Sequence, residues 1–378
     1  MISSIITMVR KELTDAARDK RSVMAGLYYA IGAPLMMCGM FMILIGQITS
    51  PEALNITITH GERAPDLVKY LASNEISQGD EADRKEIELI ISPDYAANMA
   101  KSQAAEIVLI ADNSNEKLQA SIRRLEKALQ EYSAEMGSLR LIARGIDPKV
   151  MQPIKVKVED QATSDSKGGM ILGVAIFMMV YAVFISGMNL AIDTSAGERE
   201  RNSLALLLSH PVSTRNIVLA KVAAVTIFAM LGLILTLVIS KVAYGFVPWQ
   251  ELGFSVNINV DFILLMLAIG LPIALMAAAL QLFVSFMAKS FKEAQSYLTI
   301  VLIVPMMLSM AASYNIAPDT LQWLPVSGQM QALIAFIKGK ELPMMQLALS
   351  SAITFIIALA LALGMERSLK SEKIVFGL

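Results

Sequence analysis

Six apolar runs constrain this chain more than any other feature: 24–48, 168–192, 217–240, 262–287, 297–312 and 343–365. A helix needs about 20 apolar residues to cross the hydrocarbon core, and only the fifth run is clearly shorter. Backbone groups in hydrocarbon must be paired within their own segment, so such runs are helices. Composition agrees, with 55% hydrophobic and 17% charged residues, where soluble domains carry about 25% charged. The first run exceeds a signal-peptide core and lacks a small-x-small site after it, so it reads as an uncleaved anchor. The expected fold is an α-helical polytopic membrane protein with six transmembrane helices.

Charge sets the expected orientation. Residues 1–23 hold Arg10, Lys11, Arg18, Lys20 and Arg21 in an amphipathic arm that leads into the first span. With both termini inside, the inner segments (the arm, 193–221, 288–294 and the tail 366–378) carry fourteen Lys and Arg residues. The short outer loops 241–261 and 313–342 carry three, namely Lys241, Lys338 and Lys340. The positive-inside rule therefore places both termini in the cytoplasm.

The long segment 49–167, between the first and second spans, has 15 basic and 20 acidic residues and reads as a folded, extracytoplasmic α/β domain. β-branched runs begin at Asn55, Glu86 and Glu106, and a period-two alternation begins at Pro153. Helical stretches at 66–74, 93–102 and 115–143 lie between them, and such alternation implies a small sheet with helices. The outer segment 316–338 is interrupted by Pro318 and Pro325 but has apolar residues at helical spacing. A re-entrant or interfacial helix and a plain outer loop both remain open for it.

Several chemistries have no motif here. There is no phosphate-cradling Gly-x-x-x-x-Gly-Lys-Ser/Thr, so ATP and its Mg would have to sit on another subunit. No Gly-x-Ser-x-Gly, His-Glu-x-x-His or Cys-x-x-Cys occurs, and no catalytic or metal site is expected. His60 and His210 are isolated, and Cys38 is the only cysteine. Met36, Met37, Cys38 and Met40 are soft ligands, but consecutive positions point around a helix, and packing is the expectation. A net charge of −1 implies no attraction to nucleic acid.

Polar residues inside spans are more informative, because each is costly in hydrocarbon. Ser186 and Asn189 share a face of the second span, and Gln281 and Ser285 share a face of the fourth. They suit either a pathway at a subunit interface or interhelical hydrogen bonding. Gly169-x-x-x-Gly173 permits a close helix approach in the second span. No Asp or Glu lies in the middle of a span.

The segment after the second span carries its own helix signals. Ser195-x-x-Glu198 fits a capping box. Leu204, Leu207 and Leu208 follow on one face, and Pro211 ends the helix, so a short amphipathic helix is expected over 195–210. Lying in the headgroups and docking another protein are its two readings.

The wording of this segment adds a resemblance. Gly197-Glu198-Arg199-Glu200-Arg201-Asn202-Ser203-Leu204, followed by Pro211-Val212-Ser213, closely resembles the cytoplasmic coupling segment of ABC type-2 exporter permeases. Members usually read Gly-Glu-Arg-Glu-Arg-Gly-Thr-Leu-Glu, so Asn202, Ser203 and Ala205 depart from the pattern. Glu88-Leu-Ile-Ile-Ser-Pro-Asp-Tyr-Ala, Ala111-Asp-Asn-Ser-Asn-Glu-Lys and Leu139-Arg-Leu-Ile-Ala-Arg-Gly-Ile resemble the sodium-extrusion (NatB-like) branch of that family. The resemblance implies a permease in a bacterial inner membrane. Its implied partners are a separate ABC ATPase subunit, a second permease copy (identical or not) and membrane lipid. Glu198, Arg199, Glu200 and Arg201 would dock on the ATPase beside the arm with Arg10, Lys11 and Glu12, and the turn 289–293 would be a second contact. Two rivals remain: an exporter of a peptide, drug or lipid-like cargo, and a membrane receptor whose outer domain senses a ligand.

Overall fold

The computed structural model describes residues 2–49, 53–78, 86–112, 114–151, 169–252, 256 and 258–370. The chain divides into two compact units, Met1–Ile45 with Gln161–Leu378, and Gly46–Asp160. The first unit is helical, and all six apolar runs lie in helices long and apolar enough to cross a membrane.

The spans follow their sequence signals closely. The first is Lys20–Thr49 and the second begins at Gly169. The third is Thr214–Tyr244, started by Ser213, whose hydroxyl accepts the Asn216 N–H. The fourth is Val260–Met287, capped in the same way by Asn259 on the Phe262 N–H; such caps satisfy amides that have no intrahelical partner. The fifth comes in two pieces, Phe291–Val301 and Ile303–Ser313. Pro305 explains the break, since it has no N–H for the Val301 carbonyl and its ring crowds that turn. The sixth is Met344–Ser368.

The second, third and fourth spans pack on one another, and the fourth also packs on the sixth. Small residues set the crossings. A Cβ on Gly232 would come within 2.1 Å of Ser186 Oγ, so the second and third spans approach too closely for any side chain there. At Gly173 the neighbour is the Ser313 backbone, and Ser313 Oγ donates to the Gly173 carbonyl at 2.9 Å. The first span joins through Phe41, edge-on to Tyr244 and Trp249, and through the Cys38 thiol, which donates to the Ala243 carbonyl. Met37 is buried while Met36 and Met40 are exposed, so the methionines point around the helix.

Segment 316–338 is not a plain loop. Helix Ser327–Ile337 packs against Ile303–Ser313 and the sixth span. Its fully buried Gln329 accepts the Val326 N–H at 2.9 Å and donates to Ser351 Oγ at 3.1 Å. Val326 enters this helix at φ 67, a strained conformation for a β-branched residue.

The second unit contains a two-stranded parallel sheet and a three-stranded mixed sheet. Strands β1 (Leu54–Asn55) and β3 (Ile76–Ser77) pair in parallel. Strand β2 (Thr57–Thr59) runs parallel to β4 (Ile87–Ile91), which is antiparallel to β5 (Ile107–Ala111). Every second residue of β4 is buried, and Leu67 and Leu71 of helix Pro65–Ser73 share its core. Helix Glu116–Ile142 adds Leu118, Ile122, Leu125 and Tyr132, spaced to share one face. The strand expected from Pro153 lies outside the described residues.

Candidate functional site: a charged elbow at one end of the bundle

The second span does not stop at Ile192. It continues through a π-helical turn, Asp193–Gly197, and one more turn to Glu200. Ser195 is therefore inside a helix, fully buried, and its hydroxyl donates back to the Ala191 carbonyl. The expected capping box does not form, because no helix begins there. The expected helix over 195–210 is likewise corrected to two pieces. They hinge at Asn202, whose φ of 57 is left-handed, and the second piece is Ser203–Ser209. Asparagine tolerates that conformation better than other residues with a Cβ, which accounts for Asn202 where the related pattern has Gly. The stop before Pro211 is as expected, with His210 extended at ψ 153.

The four charges after Gly197 turn inward or sideways. Glu198 is buried, and its Oε2 accepts from Lys221 Nζ at 2.8 Å. Lys221 is also 3.1 Å from Glu12 Oε1 of the arm helix, Ile2–Arg18. Lys11 closes the ring, 3.3 Å from both Glu12 and Glu198. Two cations and two carboxylates thus cancel, three of them almost wholly buried. Burial alone would push the Lys11 ammonium down, but Glu12 and Glu198 outweigh it and hold it above its usual range.

The other charges fasten the elbow from outside. Arg199 donates to the Ala288 carbonyl at 3.0 Å. Glu200 Oε2 accepts the Phe291 N–H at 2.8 Å, at the start of the fifth span. Arg201 pairs with Asp193 at 2.8 Å, which holds its guanidinium more firmly charged. A Cβ on Gly197 would meet Asp193 Oδ1 at 3.0 Å, so small size matters there. The 289–293 turn is thus joined to this segment within the chain. Leu204 is buried, Leu207 and Leu208 are half-buried, and Pro211 is exposed.

Sequence reasoning missed two members. Lys221 stood there as one of the loop cations; instead it lies within the third-span helix and is 1% exposed. A single lysine between Ile217-Val218-Leu219-Ala220 and Val222-Ala223-Ala224 was the available signal, since an ionisable group in an apolar stretch needs a partner. Leu206 was passed over because it lies off the leucine face, yet it is 64% exposed.

The polar residues of the span interiors are deep within the chain. Ser186, Gln281 and Ser285 are at most 1% exposed, and Asn189 is half-buried. Gln281 Nε2 donates to the Phe184 carbonyl at 2.6 Å. Gln281 Oε1, Ser186 Oγ and Ser285 Oγ have no hydrogen-bond partner among the described residues. No three His, Cys, Asp or Glu side chains among the described residues are grouped to hold a metal ion.

The chain has counterparts among known proteins. Residues 25–364 match the family described as ABC-2 family transporter protein. The chain belongs to that family. It is an ABC-2 permease, the membrane subunit of an ABC transporter, and the ATP-binding cassette is on a separate subunit. Over 327 residues this permease is 25% identical to the ABC transporter permease protein NatB of Bacillus subtilis (strain 168), covering 78% of this chain and 79% of that one. No solved structure matches it.

Proposed function

We propose that this permease drives export by receiving force from its ATPase at the charged elbow, with sodium as the cargo. The observation that carries the coupling role is the buried ring of Lys11, Glu12, Glu198 and Lys221. It ties the arm, the end of the second span and the start of the third into one stiff unit. A push on that unit moves two spans together instead of bending a loop. The elbow faces the cytoplasm in this reading, as the basic segments beside it require, and residues 49–167 are extracytoplasmic. Arg201 and Leu206 are the exposed groups it offers to the ATPase. Two permeases and two ATPases complete the transporter, which resides in the inner membrane.

Sodium is supported by the similarity to NatB and by Gln281 Oε1, Ser186 Oγ and Ser285 Oγ, neutral oxygens of a kind that suits a hard monovalent cation. A second reading, an organic amphiphile as cargo, is favoured by the absence of any acidic residue from the middle of a span. Two measurements test the proposal. Leu206→Glu should abolish co-purification with the ATPase while leaving the permease folded; unchanged recovery contradicts docking at the elbow. In proteoliposomes, sodium should stimulate ATP hydrolysis relative to potassium, and equal rates in the two salts exclude sodium as cargo.

A further inference from the structure

In the inserted unit, the last turns of helix Glu116–Ile142 border an open hollow of about 360 Å³. Met136, Leu139 and Ala143 form one wall, and Met99 of helix Tyr95–Ala100 faces them. Arg140 and Arg144 line it as well, and no acidic side chain does. The chain then reverses at Gly145, whose φ is 72. Its N–H donates to the Ile142 carbonyl and the Ile146 N–H to the Leu141 carbonyl, which closes the helix end. The reversal brings the turn Pro148–Met151 back against the helix.

Apolar exposure is concentrated at this end. Six large hydrophobic residues are exposed among the described residues of the unit, and four of them, Leu139, Ile142, Ile146 and Val150, lie within 139–150. Clustered exposed apolar side chains mark a contact surface. The arginines indicate what it meets. Arg140 and Arg144 are four residues apart and line the same hollow, so their like charges repel. Arg140 donates to the Gln103 carbonyl and to the Met99 sulfur, but neither arginine pairs with a carboxylate among the described residues. Of the charges nearest in sequence, the acids Glu106, Glu135 and Asp147 and the bases Lys101 and Lys149, none lines the hollow. An anion between the two guanidinium groups relieves their repulsion, and a phosphate fits their forked donors.

We propose that this patch seats the inserted unit on an anionic lipid leaflet: Arg140 and Arg144 hold a headgroup phosphate, and the four exposed apolar residues enter the boundary between headgroups and chains. Four residues separate Thr49, the end of the first-span helix, from β1 at Leu54, a reach of at most about 18 Å. The unit therefore stays beside a bilayer. Segment 49–167 has 15 basic and 20 acidic residues, so attraction to an anionic surface has to be local, as it is at this patch. The seat depends on neither the cargo nor the ATPase contact, so it stands or falls separately from sodium export.

Val150→Cys in a Cys38→Ser background gives a single thiol within the patch. The full chain, labelled there with nitrobenzoxadiazole and bound to its ATPase, is placed in phosphatidylcholine nanodiscs that contain headgroup-spin-labelled phosphatidylcholine, and phosphatidylglycerol is added stepwise. Quenching should rise and saturate as phosphatidylglycerol increases. Each basic residue near a charged surface strengthens attraction about fivefold, so Arg140→Gln with Arg144→Gln should lower the seating constant about 25-fold. Because Arg140 also holds the Gln103 carbonyl, Arg144→Gln alone decides the matter, with a loss of about fivefold. Quenching that is equal with and without phosphatidylglycerol, or unchanged by Arg144→Gln, overturns the proposal. So does an absence of quenching at every composition, the result if an acidic protein covers the patch. Release of quenching by millimolar glycerol phosphate overturns it too and assigns the arginines to a soluble phosphate.

Discussion

Replacing Lys221 by Met tests the buried ring. Lys221 is 1% exposed and holds Glu198 at 2.8 Å and Glu12 at 3.1 Å. Methionine fills similar volume but removes the charge, leaving two buried carboxylates to share Lys11, which is half-exposed and 3.3 Å from each. Removing one partner of a buried ion pair costs about 3–5 kcal/mol. Adding Glu12→Gln and Glu198→Gln to Lys221→Met removes the uncompensated charges, and the triple variant should return to within about 1–2 kcal/mol of wild type. Unfolding free energies from detergent titration measure both variants. A loss below about 1 kcal/mol for the single variant, or a triple as unstable as the single, refutes the reasoning, since each falls outside the buried-pair range.

Three further outcomes follow from the geometry. Gly232→Ala places a methyl 2.1 Å from Ser186 Oγ and should cost about 1–3 kcal/mol, with Ser186→Gly restoring most of it in the double variant; thermal unfolding in detergent reads both. Gly328→Ala puts a Cβ 2.1 Å from the Gln322 carbonyl oxygen and 2.8 Å from Ser350 Cβ. Backbone cannot yield as a side chain does, so proteolysis near the buried helix should increase with no second-site rescue at Ser350. Lys11, raised in pKa but half-exposed, contributes stability that is complete below about pH 10 and lost as pH rises through its folded value. Lys11→Gln should therefore cost no more than about 1 kcal/mol, unchanged between pH 6 and 9 in the same unfolding assay.

Helix identity was legible because hydrocarbon leaves the backbone no alternative: the first, third, fourth and sixth runs became helices within a few residues of their expected ends, whereas the second runs on to Glu200 and the fifth breaks at Leu302. Ser213 and Asn259 cap the third and fourth spans, a signal that the reading by apolar runs did not use. The elbow was legible only in part. Ser195 and Glu198 have capping-box spacing, but the span continues through them as a π turn, so the local pattern had no free helix start to act on. Pairing was the hidden part. Glu12 and Lys221 are 209 residues apart, and nothing local indicates that they meet. Leu206 escaped because helical periodicity identifies the face a helix buries, whereas docking uses the face left over.

The central claim is that the elbow is presented to the cytosol and covered there by the ATPase. It is tested by cysteine accessibility at position 206, in a Cys38→Ser background that has no other thiol. Leu206→Cys should react with a membrane-impermeant maleimide in inside-out vesicles, and bound ATPase should protect it. Labelling in right-side-out vesicles, or equal labelling with and without the ATPase, contradicts the account.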